Sequence, residues 1–440
     1  MSLATVALVD QALIDAVRPK IFGSVLAVDG PILKIAGLNG RVRVGDRLAV
    51  LRKSHHPLYI ETLGVSRASA IAFAFGPTDG VTAGDRAELM LSRSYARPSS
   101  DWFGRILNWR GESIDGTTPD SGARVVNLDA PPISPALRRP IGVRLRTGLA
   151  AFDTFLPLCR GQRIGVFAGS GVGKSSLLGE LAAGVQADVC VIALIGERGR
   201  EVKSFAQAAQ AAGYLGKTII IASTSDEPAL VRRESARLAM ATAEYFRDEG
   251  KHVLLIFDSL TRYAESHREI ALARGEPPSL HAYPPSTVSA LASVVERAGP
   301  GAEGHGDITA IFSVLVAGSD MDEPVADMVR GLLDGHVILD RAIAERGRYP
   351  AINVRRSVSR SLPGAASAEE NVLLLEARAL LAAYENAEMV VRAGLYAAGS
   401  DAATDRAIAI WPRLDPFIAR GGMANPDHSF DQLRQILASA

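Results

Sequence analysis

Between Phe22 and about Arg93, apolar residues come in short runs or alternate with polar ones, and Gly-Asp and Asp-Gly pairs separate the runs. The pattern predicts strands at Gly23–Val28, Ile32–Ile35, Arg41–Val44, Asp46–Leu51 and Ala87–Leu91. The turns between them include Asp29-Gly30, Gly45-Asp46, Asp79-Gly80 and Gly84-Asp85. Short strands in this arrangement suit a small β-barrel of about 70 residues. Ahead of it, Leu3, Val6, Leu8, Val9, Leu13, Ile14 and Val17 are spaced for a short helix ending at Pro19. That helix either packs on its own domain or docks a partner. Residues 96–140 are rich in Pro, Gly and Asp and read as a connection. From 141 to about 360 the pattern changes to strands alternating with helices. Strands are expected at Ile164–Phe167, Val189–Ile195, Thr218–Ala222, Val253–Phe257, Thr309–Val316 and His336–Leu339. Most are near-continuous apolar runs, as in a parallel sheet covered on both faces. After Pro363 the pattern is helical, starting with Ala368–Tyr384 and breaking at Gly394, Gly399 and Gly421-Gly422. The divisions are residues 1–20, 21–95, 96–365 and 366–440, and the central part is an α/β domain of the P-loop class.

Ala168-Gly-Ser-Gly-Val-Gly-Lys-Ser175 follows the strand at Ile164–Phe167 and leads into a helix beginning near Ser176. Strand, glycine loop and helix start stand in the order a phosphate cradle needs. Gly169, Gly171 and Gly173 let backbone N–H groups approach an anion, and the helix N-terminus faces it with its positive dipole end. Lys174 can reach the β- and γ-phosphates, and the Ser175 hydroxyl can ligate Mg²⁺. The first position of the usual pattern is Ala168 rather than Gly.

Three other segments carry candidate chemistry. Val253-Leu-Leu-Ile-Phe-Asp258 ends a strand in an acid, where a carboxylate can hold the Mg²⁺ shell. Glu197 follows Gly196 at the end of another strand, placed to orient and polarise an attacking water; the competing reading is a solvated charged loop with Arg198, Arg200 and Glu201. In the segment Tyr349–Arg360 an aromatic precedes Pro and offers a stacking face for a base. Arg360 can serve as an arginine finger, a group often supplied by a neighbouring subunit. Alone, that segment is an ordinary basic loop.

Composition narrows the class. The formal net charge is zero over 440 residues, so no global basic field points to nucleic acid. The barrel has Arg41, Arg43, Arg47, Arg52 and Lys53 but few aromatics to stack on. Cys159 and Cys190 border apolar strands and suit buried small hydrophobes in a reducing compartment. No apolar run approaches a membrane span, and the N-terminus has neither a basic region nor a cleavage site. A cytoplasmic protein is expected, with any membrane role reached through a partner.

In order and wording the chain resembles the hexameric rotary-type ATPases, more narrowly the type III secretion ATPases, and among those the flagellum-specific export ATPases. The resemblance rests on Arg160–Ser175, Gly196–Val202, Asp258–Tyr263, Gly275–Pro278, Tyr283–Pro285, Asp327–His336 and Tyr349–Asn353. It implies a RecA-like P-loop ATPase core with an N-terminal β-barrel and a C-terminal helical domain. It also implies ATP and Mg²⁺ at a site built from Gly169, Ser170, Gly171, Val172, Gly173, Lys174, Ser175 and Ser176. Within that site Glu197 would activate water, Asp258 would belong to the Mg²⁺ shell and Tyr349 would stack on adenine. Arg360 would act on the adjacent subunit's nucleotide. The implied partners are further copies of the chain in a hexamer, a regulatory stator-like export protein at the N-terminal helix and a central stalk protein. Export chaperones and their substrates, and an export gate at the inner membrane, complete the set, with no nucleic acid. Two departures stand out: Asn353 where an Asp is usual, and Ser279-Leu-His281, unlike the residues expected near the ring's pore. The injectisome version of the enzyme, a RecA-type nucleic-acid translocase and a noncatalytic ring subunit are the competing readings. Glu197 argues against the last, because noncatalytic subunits of the rotary synthases lack that glutamate.

Overall fold

The computed structural model describes residues 20–38, 40–53, 55–90, 95–279, 282–316 and 321–439. The helix expected within residues 1–18 lies outside them, as do Leu280 and His281 of the divergent pore-region segment.

Six strands close the barrel: β1 (Phe22–Asp29), β2 (Ile32–Ala36), β3 (Arg47–Leu51), β4 (Leu58–Val65), β5 (Ser69–Ala74) and β6 (Arg86–Leu89), in the order β1-β2-β5-β4-β3-β6. Alternate residues such as Leu33, Ile35, Leu48, Val50, Ile60 and Ala72 fill its interior. The strand expected at Arg41–Val44 is instead a loop. Asp46 accepts the Arg43 amide at 2.7 Å and its own amide bonds back to the Arg43 carbonyl, so the backbone is satisfied within a turn. β4 and β5, which the pattern did not single out, supply the pairing that the barrel needs. Their buried polar or small residues, Glu61, Thr62, Ala70 and Ala72, blur the apolar alternation.

The described residues of 95–227, 231–268 and 278–440 build a second unit. A short ribbon pairs β7 (Tyr95–Ala96) with β9 (Val126–Asn127). The main sheet takes β8 (Ile106–Leu107), β10 (Arg163–Ala168), β11 (Val189–Glu197), β12 (Thr218–Thr224) and β13 (His252–Asp258). It is completed by β14 (Gly299–Pro300), β15 (Asp307–Leu315), β16 (Gly335–Leu339) and β17 (Val358–Ser359). The order is β17-β16-β10-β15-β13-β11-β12-β8, with β14 beside β15. All neighbours from β16 to β8 run parallel; β17 and β14 pair antiparallel.

The apolar runs are continuous because each face has its own core. On β11, Cys190, Ile192 and Leu194 join one cluster, while Val189, Val191, Ala193 and Ile195 join the other. The side chains alternate and both faces are covered. Cys159 and Cys190 are buried and unpaired with each other.

Three C-terminal helices, Ala368–Arg392, Ala402–Ile418 and Pro426–Leu437, pack onto the first of these cores through Leu374, Leu381, Leu414, Phe417 and Leu433. Their starts are written locally. Ser367 and Glu370 form a reciprocal capping box, and Asp401 and Asn425 cap the next two helices. Among the described residues no helix is long and apolar enough to cross a membrane.

Candidate active site

β10 ends at Ala168, and the helix Lys174–Gly184 starts after the glycine loop. Gly171 and Gly173 adopt φ of 78° and 89°, the left-handed region where a side chain is strained. Gly173 is the N-cap and offers no side-chain cap bond, so the first-turn amides remain available to an anion. A Cβ built on Gly173 would lie 3.1 Å from the Tyr349 ring, which places that half-exposed aromatic against the loop. Gly173→Ala should therefore cost about 1–2 kcal/mol of stability from backbone strain alone. It should also push Tyr349 away and weaken nucleotide binding. Thermal unfolding and nucleotide titration of the variant measure the two effects separately.

Two strand ends bring acids to this loop. β13 ends in Asp258, and β11 ends in Glu197 after a register irregularity between Ile195 and Glu197. Lys174 Nζ donates to Asp258 Oδ1 and stands 3.6 Å from Glu197 Oε1. Ser313 on β15 donates to the same Asp258 oxygen at 2.5 Å. Burial pushes the Glu197 carboxyl up to about 7, the negative Asp258 adds to the rise, and Lys174 opposes it. Ser175, Glu197 and Asp258 line one cavity of about 430 Å³, continued by Leu194, Phe205 and Tyr214. One lysine between two carboxylates leaves room for a further cation. Behind Glu197, Cβ of Arg262 lies 3.1 Å from where Gly196 would carry a Cβ, and the hydrogen bond from Arg262 to Glu265 pushes the guanidinium pKa up, with a smaller contribution from the Glu197 charge.

Arg360 is elsewhere. Its amide bonds to the Asp334 carbonyl, and the Asp334 amide bonds to the Arg163 carbonyl, at the first residue of β10. The glycine loop leaves the other end of that strand, five residues on, or about 16 Å away. Arg360 is exposed and forms no ion pair among the described residues. Asn353 has a local reason. Its amide donates to Asp340 at 3.0 Å and its carbonyl oxygen accepts the Arg356 amide at 3.1 Å. An Asp here would set two carboxylates against each other.

The fold thus gathers Lys174, Ser175, Glu197, Asp258 and Tyr349 around one loop and keeps Arg360 at the sheet's opposite end. Ser313 and Arg262 were not singled out from the sequence. A hydroxyl between Phe312 and Val314 in a buried strand was the available signal for Ser313.

A glycine loop on a parallel sheet, faced by two carboxylates, defines a P-loop ATPase. Residues 148–359 match the ATP synthase alpha/beta family nucleotide-binding domain, and residues 366–437 match the T3SS EscN ATPase C-terminal domain. The flagellum-specific ATP synthase of Caulobacter vibrioides is 42% identical over 427 residues, covering 95% of this chain and 96% of that one. The assembled ATPase EscN of the enteropathogenic E. coli type III secretion system superposes with a TM-score of 0.88 at 35% identity, covering 94% of this chain and all of that one. EscN in complex with its central stalk EscO gives 0.85 at 35% identity and the same coverage of this chain and that one. The chain belongs to the family of flagellum-specific ATP synthases and type III secretion ATPases.

Proposed function

We propose that this ATPase hydrolyses Mg²⁺-ATP as a homohexameric ring that prepares proteins for flagellar type III export, each protomer completing its neighbour's site with Arg360. The observation that carries the ring is the distance between Arg360 and its own glycine loop. A solvent-facing arginine without an ion pair among the described residues, too far from the phosphates of its own chain, suits a group offered to another. EscN, a relative across nearly the whole chain, is described as assembled. Specific ATPase activity should curve upward with protein concentration as protomers meet. A specific activity independent of concentration, in protein shown to remain monomeric, would sink the shared site.

Within one protomer the first-turn amides and Lys174 hold the phosphates, and Tyr349 offers its ring to the adenine. The donors fit Mg²⁺: the Ser175 hydroxyl and the Asp258 carboxylate are hard oxygen ligands beside a cavity with spare negative charge. When bound there, Mg²⁺ neutralises charge that develops on the transferring phosphoryl. Glu197 orients the attacking water and takes its proton.

A base must be ionised to act. With its carboxyl near 7, kcat/KM should rise with pH up to about 7 and level off above it. The sign for stability is opposite. The native state binds that proton more tightly than the unfolded chain, so this group's contribution falls as pH rises from the ordinary glutamate value of 4.5 to about 7. A pH–rate profile flat from 5.5 to 8 would remove Glu197 from the role of base.

The partners follow from the same reading. A central stalk protein would bind the ring; EscN is described in complex with its central stalk EscO. A stator-like regulator would take the N-terminal segment, and chaperones would deliver substrates to a ring held in the cytoplasm beneath the export gate of the inner membrane. Flagellar export is the reading supported by a flagellum-specific relative that is 42% identical across 95% of this chain; a SPI-2 type 3 secretion system ATPase of Salmonella typhimurium is 40% identical across 86% of it, and motility separates the two. Deleting the gene should abolish motility; loss of effector secretion with motility intact would reverse the assignment.

A further inference from the structure

We infer that Ser313 is a positioning residue that keeps the Asp258 carboxylate in place while Lys174 moves between that carboxylate and the nucleotide. The inference rests on the reading of Asp258 as the Mg²⁺ carboxylate.

β13 and β15 are parallel neighbours, with Phe257 opposite Phe312. Asp258 and Ser313 are therefore the next residues along each strand, and both are buried. The Ser313 hydroxyl donates to Asp258 Oδ1 at 2.5 Å, the distance of a charge-assisted O–H···O⁻ bond. Lys174 donates to that same oxygen. Asp258 Oδ2 carries no hydrogen bond among the described residues.

The two donors differ in one respect. Lys174 sits at the end of a long flexible side chain, and its proposed task is to reach the phosphates. It cannot hold Asp258 Oδ1 and a γ-phosphate at full strength together. As it leaves, Oδ1 becomes a buried anionic oxygen that has lost its cation, which is costly unless another donor remains. Ser313 is such a donor. Its short side chain stands on a strand paired on both sides, to β10 and to β13. It keeps its bond without any change in the backbone. With Oδ1 tied down, the carboxylate retains its rotation and Oδ2 stays free for the metal shell. Without the hydroxyl, Lys174 would be the only anchor of Asp258, and ordering the metal site would compete with binding the phosphate.

The test is nucleotide binding, read by fluorescence of a labelled ATP analogue, as Mg²⁺ is titrated against purified full-length protein. Ser313→Ala should raise the Mg²⁺ concentration for half-maximal binding about tenfold, the usual effect of removing a residue that orients a metal ligand. Binding in excess chelator should change little. Ser313→Thr keeps the hydroxyl and should stay near the wild-type midpoint, with thermal unfolding showing that each variant is folded. Asp258→Asn separates the two readings. If it leaves the Mg²⁺ midpoint unmoved, the assignment of Asp258 to the metal fails. If it moves the midpoint and Ser313→Ala does not, the inference about Ser313 is overturned. A shift in Ser313→Thr as large as in Ser313→Ala would also overturn it, since packing rather than the hydroxyl would be the cause.

Discussion

Arg360→Ala should lower ATP turnover about 10³-fold or more while nucleotide affinity stays close to wild type. The size follows from what an arginine finger does. It stabilises charge that exists only as the phosphoryl group transfers, so its loss appears in kcat and hardly at all in binding. The location makes the result informative. Arg360 hangs from the start of β16 through the Asp334 carbonyl, at the end of the sheet away from the glycine loop. A defect in turnover cannot then come from a direct contact with the nucleotide of the same chain. Mixing this variant with Glu197→Gln subunits should restore part of the activity. Some interfaces in a mixed ring join an intact Glu197 to an intact Arg360. No recovery in rings shown to contain both variants would argue that the two residues do not meet across an interface.

Glu197→Gln should reduce turnover by about 10²–10⁴-fold, the range for losing a positioned general base. Nucleotide binding should persist. The amide is nearly isosteric and removes a charge that burial and Asp258 already disfavour. It also leaves Lys174 with a single carboxylate partner, Asp258, to which it is already bonded. Bound ATP that turns over slowly is therefore the expected state of this variant, visible as retained nucleotide after gel filtration. Unchanged hydrolysis would instead remove Glu197 from the catalytic role, whereas no hydrolysis by the wild-type protein would support a noncatalytic ring subunit.

Much of this site was legible in the chain because its parts are local. The glycine loop between an apolar run and a helix start is contiguous, and its function depends on the backbone of a few adjacent residues. Asp258 and Glu197 stood out because each ends an apolar run, and strand ends in a parallel sheet open onto the ligand crevice. The C-terminal helices were legible from the helical pattern after Pro363 and its breaks at Gly394, Gly399 and Gly421-Gly422, and their caps at Ser367, Asp401 and Asn425 emerged from the fold. The barrel was less legible. At Arg41–Val44 a turn closed by Asp46 imitates an alternating strand, while β4 and β5 carry buried Glu61, Thr62 and alanines that mute the period of two.

By itself, then, the sequence determined the phosphate loop, the acids at two strand ends, the two-faced burial of the sheet and the helical pattern after Pro363. Each of these depends on residues within a few positions of one another. The tertiary structure alone decided which distant residues meet. Parallel register sets Ser313 beside Asp258, and the chain's return after β16 lays Tyr349 on Gly173. The antiparallel pairing of β17 with β16 carries Arg360 to the far end of the sheet. Strand order and direction are properties of the whole folded sheet, so no local stretch of sequence could specify them. They are what bring the phosphate-binding loop, Glu197, Asp258 and Tyr349 together and keep Arg360, the proposed finger, apart from them.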